Sequence, residues 1–217
     1  MVKSNRVYSG WYGIVAMVDN RTAVIAEELA EDILEFRGTK DRRLQRVTWD
    51  RAHITLFQHR NFKGLREKFV QDKLEELAHA ARTMVSGQRI SMDKIAVHSG
   101  NYFFWYADRG GLSDLHKKSL DLSQFVDPQS ILELLALADA KQPALTKPQR
   151  ALLETFGQMY VGYRFVPHIT LMHIDQPDVF NTRTPMRYQH QGLIRSIAFV
   201  SHSTGGRIKE ILAEVPL

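Results

Sequence analysis

The stretch RAHITLF at residues 51–57 and the stretch FVPHITL at residues 165–171 share the four letters HITL. A repeated tetrapeptide in a chain of 217 residues can arise by chance, so the content of the repeat must decide whether it matters. Each copy holds a histidine, the side chain used most often for proton transfer near neutral pH. Each copy also lies in a run of β-branched and apolar residues that predicts a strand.

Alternation along a strand puts a histidine and a threonine on one face of each copy. Residues i and i+2 of a strand project from the same face. His53 therefore projects with Thr55, and His168 projects with Thr170, while the isoleucine and leucine of each copy form an apolar backing. Two such strands side by side would gather two imidazoles and two hydroxyls around one small volume.

Such a set of groups suits the chemistry of a phosphoryl group. One imidazole can accept a proton from an attacking oxygen while the other donates a proton to the leaving oxygen, and each such step contributes about 10²–10⁴-fold. The hydroxyls can donate hydrogen bonds to non-bridging phosphate oxygens. A single His-x-Thr in a strand is usually an ordinary half-buried pair. Two copies, one in each half of the chain, favour the catalytic interpretation.

The composition is that of an ordinary soluble globular protein, with 44% hydrophobic and 24% charged residues. No apolar run approaches the length of a transmembrane helix, so we expect no membrane association. The first residues read as a strand rather than as a signal peptide. The chain has no cysteine, which excludes disulfides, thiolate metal sites and cysteine nucleophiles. We expect a cytoplasmic monomer.

The chain is basic, with a formal net charge of +5 and a pI of about 9.4. A basic balance favours polyanionic partners such as RNA, DNA or nucleotides, and also an anionic membrane surface. A mildly basic, solvated surface is the simpler explanation of the charge taken alone.

Hydrophobic periodicity predicts an α+β protein in which each half contains helices, mostly antiparallel strands and one HITL copy. Strands are predicted near residues 11–18, 53–57, 89–97, 101–107, 163–174, 192–202 and 207–215. A hairpin turn is predicted at Ser99-Gly100-Asn101. Helices are predicted over 21–37 with a stop at Gly38, over 65–85, near 112–120, from Asp127-Pro128, and from a Thr146–Gln149 capping box to about 156.

The two motifs and their flanks resemble the two-histidine (2H) phosphoesterase superfamily, which includes the bacterial 2′-5′ RNA ligase or RNA 2′,3′-cyclic phosphodiesterase proteins. The signature of that superfamily is one His-x-Thr-x motif in each of two lobes. Residues 51–57 look like the first motif, and residues 165–171, with their Phe-x-Pro-His lead-in, look like the second. Residues 89–106 resemble the strand pair that closes the first lobe, and residues 194–217 resemble the final strands. The resemblance covers most of the chain.

The resemblance implies a bilobal α+β fold, with two mostly antiparallel sheets that form a central cleft and with helices outside. We therefore expect one domain over residues 1–217, with lobe 1 at about 1–110 and lobe 2 at about 111–217. The two motif histidines stand 168 − 53 = 115 positions apart, farther than we expect for compact members. We assign the excess to a possible helical insertion or lid at 121–160.

The resemblance also implies hydrolysis of a cyclic or 2′-5′ phosphodiester on an RNA end or a small nucleotide, without a metal or other cofactor. His53 and His168 would be the catalytic residues, and Thr55 and Thr170 would bind the phosphate. Which histidine is the base and which is the acid stays open. The alternatives are a non-catalytic RNA- or nucleotide-binding protein on the same fold, an enzyme that degrades cyclic-oligonucleotide signals, and a ligase.

Three further residues are candidates for substrate binding. Tyr12, Tyr163 and Arg164 could line the site by stacking on a base or by binding a phosphate. The alternative is that Tyr12 belongs to the core and Arg164 is a surface charge. We interpret the aromatic run Phe104-Trp105-Tyr106 as core.

The remaining histidines carry no clear signal in the sequence. His59 and His173 follow the two motifs, but their spacing from the motif histidines is not a usual metal-ligand spacing. Alternation predicts that His173 points away from His168, and we interpret both as surface or supporting residues. The histidines without motif context are His79, His98, His116, His190 and His202.

Overall fold

The computed structural model describes residues 8–36, 45–83, 88–98, 102–140, 144–173, 186–203 and 207–217. Its strands are β1 (Tyr8–Val18), β2 (Gln45–Arg46), β3 (His53–Phe62), β4 (Arg89–His98), β5 (Tyr102–Ala107), β6 (His168–His173), β7 (Met186–His202) and β8 (Ile208–Pro216). Its α-helices are α1 (Asn20–Phe36), α2 (Glu67–Thr83), α3 (Gly110–Ser119), α4 (Pro128–Asp139) and α5 (Lys147–Phe156). Short 3₁₀ turns occupy Trp49–Arg51, Leu120–Phe125 and Gly162–Arg164.

The predicted α+β class and the antiparallel strand pairing are confirmed, but the strands belong to one sheet rather than two. The order along that sheet is β1-β3-β6-β5-β4-β7-β8, with β2 paired to β6 and with β1 also paired to β7. The first half of the long strand β7 pairs with β4, while its second half lies against β1 and β8. Two groups of strands, each containing strands from both halves of the chain, therefore share β7. The division into lobes near residue 110 and the central cleft stay predictions.

The helix starts follow the predicted capping chemistry. The Asp127 side chain accepts a hydrogen bond from the Gln129 backbone N–H, 3.2 Å away, with Pro128 at the first helical position of α4. Thr146 and Gln149 form the predicted capping box at the start of α5. The Asp19 side chain caps α1 by accepting from the backbone N–H of Thr22. The predicted helix stop at Gly38 and the hairpin turn at residues 99–101 lie outside the described residues.

One strand prediction was wrong at its start. The strand predicted for 163–174 begins only at His168, because Gly162 has a φ of +58° and opens a 3₁₀ turn. Pro167 then precedes the strand and has no N–H to give to a ladder. The first motif strand, in contrast, runs five residues beyond the predicted 53–57, to Phe62.

The main hydrophobic core lies between one face of the sheet and the helices. Ile54, Leu56, Ile169 and Leu171 of the motif strands are 0–2% exposed and belong to this core. The buried side of α2 supplies further residues to the same cluster. The apolar backing predicted for both motifs is therefore the surface on which the helices pack. Within the described part of the chain, no helix is long and apolar enough to span a membrane.

A buried histidine joins the far end of β3 to the end of α5. His59 is 0% exposed, so of its two interpretations, as a surface residue or as a supporting residue, the first was wrong. Its Nδ1 lies 2.6 Å from the Arg60 carbonyl oxygen and its Nε2 lies 3.0 Å from the Gly157 carbonyl oxygen. Gly157, with a φ of +68°, ends α5, and a Cβ atom there would lie only 2.2 Å from the His59 ring.

We expect Gly157→Ala to destabilise the protein more than Gly64→Ala. Both glycines have positive φ, which costs an alanine roughly 1–2 kcal/mol, but a Cβ at Gly64 would meet nothing within 4 Å. The collision with the buried His59 ring should add about 1–3 kcal/mol. Urea unfolding of both variants measures the difference, and equal midpoints would show that the ring moves aside without cost.

Candidate active site

The two motif strands are neighbours in the sheet and run antiparallel. Ile54 of β3 pairs with Ile169 of β6, and this is the single pair that joins the two strands. Around such a pair, the antiparallel register puts His53 beside Thr170 and Thr55 beside His168. The four candidate residues therefore project from one face of two adjacent strands, opposite the core. We call this face of the sheet the open face.

Each motif strand contains a β-bulge just after its threonine, and these bulges extend the open face. Leu171 and Met172 are both buried, and the β5–β6 register shifts at that point. His173 consequently pairs with Tyr102, and their rings lie 4.3 Å apart. The bulge reverses the alternation, so the prediction that His173 points away from His168 was wrong. Strand β3 shifts register in the same way, and it brings the half-buried Gln58 onto this face.

Both candidate catalytic histidines are held by the same local hydrogen bond. His53 Nδ1 lies 2.7 Å from the Arg51 carbonyl oxygen, and His168 Nδ1 lies 2.8 Å from the Val166 carbonyl oxygen. A carbonyl oxygen only accepts, so Nδ1 carries the proton in each ring. In the neutral form, Nε2 of each ring is then the basic nitrogen. The same nitrogen, Nε2, is therefore the one in each ring that could transfer a proton.

His53 lies in a dry environment. Its side chain is buried, and the ring of His202 is 5.6 Å from it, centroid to centroid. Burial lowers the pKa of His53 below its ordinary value, and the hydrogen bond to the Arg51 carbonyl offsets this only in part. The neutral imidazole is therefore the favoured form at neutral pH. His202, at the end of β7, had no motif context in the sequence.

His168 is half-buried and lies against aromatic side chains. The Phe104 ring stacks on it at 3.7 Å and 23°, and the Tyr106 ring lies 6.2 Å away. Trp105, which points the other way, is 0% exposed. The core interpretation of the run 104–106 is therefore right for Trp105, whereas Phe104 and Tyr106 are half-buried on the open face. Phe104 restricts the orientation of the His168 imidazole.

The three candidate substrate-binding residues lie in different environments. Tyr163 is 63% exposed in the 3₁₀ turn before motif 2. In the same turn, the Arg164 guanidinium lies over the Tyr160 ring at 5.6 Å, and its buried Nε has no hydrogen-bond partner among the described residues. Tyr12 instead packs against Phe199, with ring centroids 6.1 Å apart, on the core side of β1. The structure therefore does not bring Tyr12 to the open face.

A buried histidine that the sequence did not single out connects the two motifs. His116 of α3 is 1% exposed, and its Nδ1 donates to the Leu56 carbonyl oxygen at 2.6 Å. Its Nε2 accepts the Gly162 backbone N–H at 2.8 Å, and its ring stacks on Phe165 at 4.0 Å. A neutral imidazole satisfies both bonds at once. Burial lowers the pKa of His116, which also favours that neutral form.

The described part of the chain contains no group of three or more His, Asp or Glu side chains arranged to hold a metal ion. The chemistry of the open face is that of paired imidazoles and hydroxyls.

We expect His116→Ala to lower the free energy of unfolding by about 2–4 kcal/mol, because it leaves a cavity and two unpaired backbone groups. It should also flatten the pH dependence of stability. Burial lowers the pKa of His116 in the folded protein, so the unfolded chain binds a proton there at a higher pH than the folded protein does. The stability of the wild type therefore falls as the pH drops below about 6.5. One such group contributes at most about 1.4 kcal/mol per pH unit.

Urea unfolding at pH 7.5, 6.0 and 5.5 tests this expectation, with the exposed His79→Ala as control. A His116→Ala variant that keeps both the stability and the pH slope of the wild type would contradict the bridging role.

No protein-family model and no curated protein sequence matches the chain. Solved structures do match. TT0787 of Thermus thermophilus is 16% identical, with 95% of this chain and 97% of that chain covered and a TM-score of 0.55. E. coli LigT complexed with 3′-AMP is 16% identical, and LigT complexed with NADP+ is 15% identical; each comparison covers 97% of this chain and 99% of the other, with a TM-score of 0.48.

The TM-score exceeds 0.5 for TT0787 and lies below 0.5 for both LigT structures. A TM-score of 0.55 over nearly the whole of both chains shows a similar fold, and an identity of 16% shows nothing finer. By fold, the chain is similar to TT0787. The resemblance to the 2H phosphoesterase superfamily stays a prediction.

Proposed function

We propose that this protein is a metal-independent phosphodiesterase that hydrolyses a cyclic or 2′-5′ phosphodiester on an RNA end or a small nucleotide. One observation carries the proposal. Two histidines lie on adjacent antiparallel strands, each donates from Nδ1 to a backbone carbonyl two residues earlier, and each has a threonine beside it. Identical tethers fix the same tautomer in both rings. This arrangement can put an acid and a base on either side of one phosphate, each acting through Nε2.

The reaction on a 2′,3′-cyclic phosphate is a displacement at phosphorus. A water oxygen forms a bond to phosphorus while one ribose oxygen–phosphorus bond breaks. One Nε2 takes the proton of the attacking water, and the other Nε2–H gives a proton to the leaving ribose oxygen. The product is a phosphate monoester, and the two imidazoles have exchanged protonation states. A proton transfer through solvent restores them.

We assign the base to His53 and the acid to His168. The buried ring of His53 favours the neutral form, which has the lone pair that a base needs. His168, the more exposed ring of the two, takes the other role. For a substrate bound in the opposite direction the roles would exchange, because both rings use Nε2.

The threonine hydroxyls donate hydrogen bonds to the non-bridging phosphate oxygens. Thr55 and Thr170 are half-buried, so these bonds form in a partly dry place where they are stronger than in water. Arg164 is the nearest cation in sequence to motif 2, and its buried Nε lacks a partner among the described residues, which suits an anionic substrate. Tyr163 is exposed enough to stack on a base.

A non-catalytic RNA- or nucleotide-binding protein is the second candidate, and an enzyme that degrades cyclic oligonucleotides would use the same four residues. A binder has no need of two histidines held in matched tautomers, so the tethers favour the enzyme. A monomeric state and a cytoplasmic location stay predictions.

His53→Ala and His168→Ala should each lower kcat by about two or more orders of magnitude, because each removes one proton transfer. Thr55→Ala and Thr170→Ala should lose less, since each removes one hydrogen bond to the phosphate. The measurement is hydrolysis in EDTA of 2′,3′-cyclic nucleotides, RNA with a cyclic-phosphate end, 2′-5′ oligoadenylate and cyclic oligonucleotides.

His79→Ala, an exposed histidine of α2, is the matched control for that screen. Near-native turnover by either motif variant would refute the assignment. Binding of the substrates without turnover by the wild type would favour the non-catalytic protein.

The assignment of the base predicts the position of the acid limb of the pH profile. A base works only when it is neutral, so kcat/KM falls as the pH drops through the His53 pKa. That pKa is lowered from the ordinary value of about 6.5, so the midpoint of the acid limb should lie below pH 6.5. Measurement of kcat/KM from pH 4.5 to 9 locates it, and a midpoint at or above 6.5 would contradict His53 as the base.

A further inference from the structure

A row of side chains crosses the open face from His168 to two exposed cations. His168 of β6 pairs with Tyr106 of β5, Tyr106 pairs with Lys94 of β4, and Lys94 pairs with Arg187 of β7. Directly paired residues of antiparallel strands project from the same face. His168, Tyr106, Lys94 and Arg187 therefore form one line at right angles to the strands, which we call the transverse row.

The cations of the transverse row are available to a ligand. Lys94 and Arg187 are both exposed, and neither forms an ion pair with any residue that the structure describes. The Lys94 Nζ lies over the Tyr106 ring, 5.4 Å from its centroid, so the ammonium is held toward His168. This differs from the lysines of the helices, such as Lys68 and Lys117, which are paired with nearby carboxylates.

The spacing of the row matches a short nucleic-acid strand. Neighbouring strands lie about 4.8 Å apart, so Lys94 is about 10 Å and Arg187 about 14 Å from the backbone of His168. At the stacked spacing of about 3.4 Å per nucleotide, the row covers about four nucleotides.

The far end of the row opens into a groove between β4 and β7. This groove has a volume of about 550 Å³ and is lined by Arg187 together with Ser91, Asp93, Gln189 and Gln191. Its amides and hydroxyl can hydrogen-bond to ribose and phosphate. Asp93 lines the groove, and Asp108 Oδ1 accepts from the backbone N–H of Ser91 at 3.2 Å, so carboxylates lie at the groove end while Lys94 and Arg187 are the cations of the row.

We infer that the transverse row binds the backbone of a single-stranded RNA whose end occupies the site formed by His53 and His168. The substrate is then an oligonucleotide rather than a mononucleotide. This inference rests on the proposed function for the identity of the reacting end. The contacts themselves are ionic, from Lys94 and Arg187 to phosphates upstream of that end.

The test compares a long and a short ligand that the protein does not turn over. The probes are fluorescein-labelled hexauridylate with a 3′-phosphate, followed by anisotropy, and uridine 3′-monophosphate as competitor. The hexanucleotide should bind at least tenfold more tightly. The double variant Lys94→Ala/Arg187→Ala should bind the hexanucleotide about tenfold more weakly. The slope of log K against log salt should fall in magnitude by about 1.4, since each phosphate contact to a single strand contributes about 0.7.

The mononucleotide should bind the double variant as it binds the wild type. The control variant Lys68→Ala/Lys117→Ala removes two positive charges from the helices that pack on the buried face. It should leave the affinity for both ligands unchanged. Equal binding of the two ligands by the wild type, or equal loss of both in the double variant, would overturn the inference. Binding needs no turnover, so a chain without hydrolytic activity but with length-dependent binding would refute the proposed function alone.

Discussion

The backbone pair between Ile54 and Ile169 is the contact on which the candidate site depends. It joins strands that lie 115 residues apart in the sequence, and it is the single pair between them. One ladder pair contributes only about 1 kcal/mol, so other contacts must keep the two strands in register. His116 supplies such a contact, because it bonds to the backbone of Leu56 in the first motif and to the turn before the second. The strand β7, which belongs to both groups of strands, supplies the second link.

Histidines with the same Nδ1 bond lie in two different settings in this fold, at a bridge between elements and on the open face. In His53, His168 and His116 the Nδ1–H donates to a backbone carbonyl, which fixes the same tautomer. In His116 the Nε2 lone pair is occupied by a buried backbone N–H, so the ring is a structural bridge. The motif histidines instead belong to the open face, away from the core. The same tether therefore produces a packing residue in one place and a group suited to proton transfer in another.

The sequence predicted those features that depend on near neighbours. The capping residues Asp127 and Thr146 form hydrogen bonds with backbone groups two and three residues later in the chain. The alternation of histidine with isoleucine depends on one strand alone. The bulge at Leu171 could not be foreseen, because a bulge exists only relative to the register of a partner strand. His116 was missed for the same reason, since its hydrogen-bond partners lie 60 and 46 residues away. Sequence patterns thus predicted the faces of single strands, whereas the pairing of those strands required the structure.

The side chains of the open face determine which features of a bound RNA the protein can recognise. Phe104 stacks on His168, and Tyr102 lies against His173, so each of these rings already has one face against the protein. Lys94 lies over Tyr106 in the same way. The groups that stay available along the transverse row are cations, which contact phosphates and carry no information about base identity. An RNA held there would be selected by the chemistry of its end and by its length, while its base sequence would contribute little.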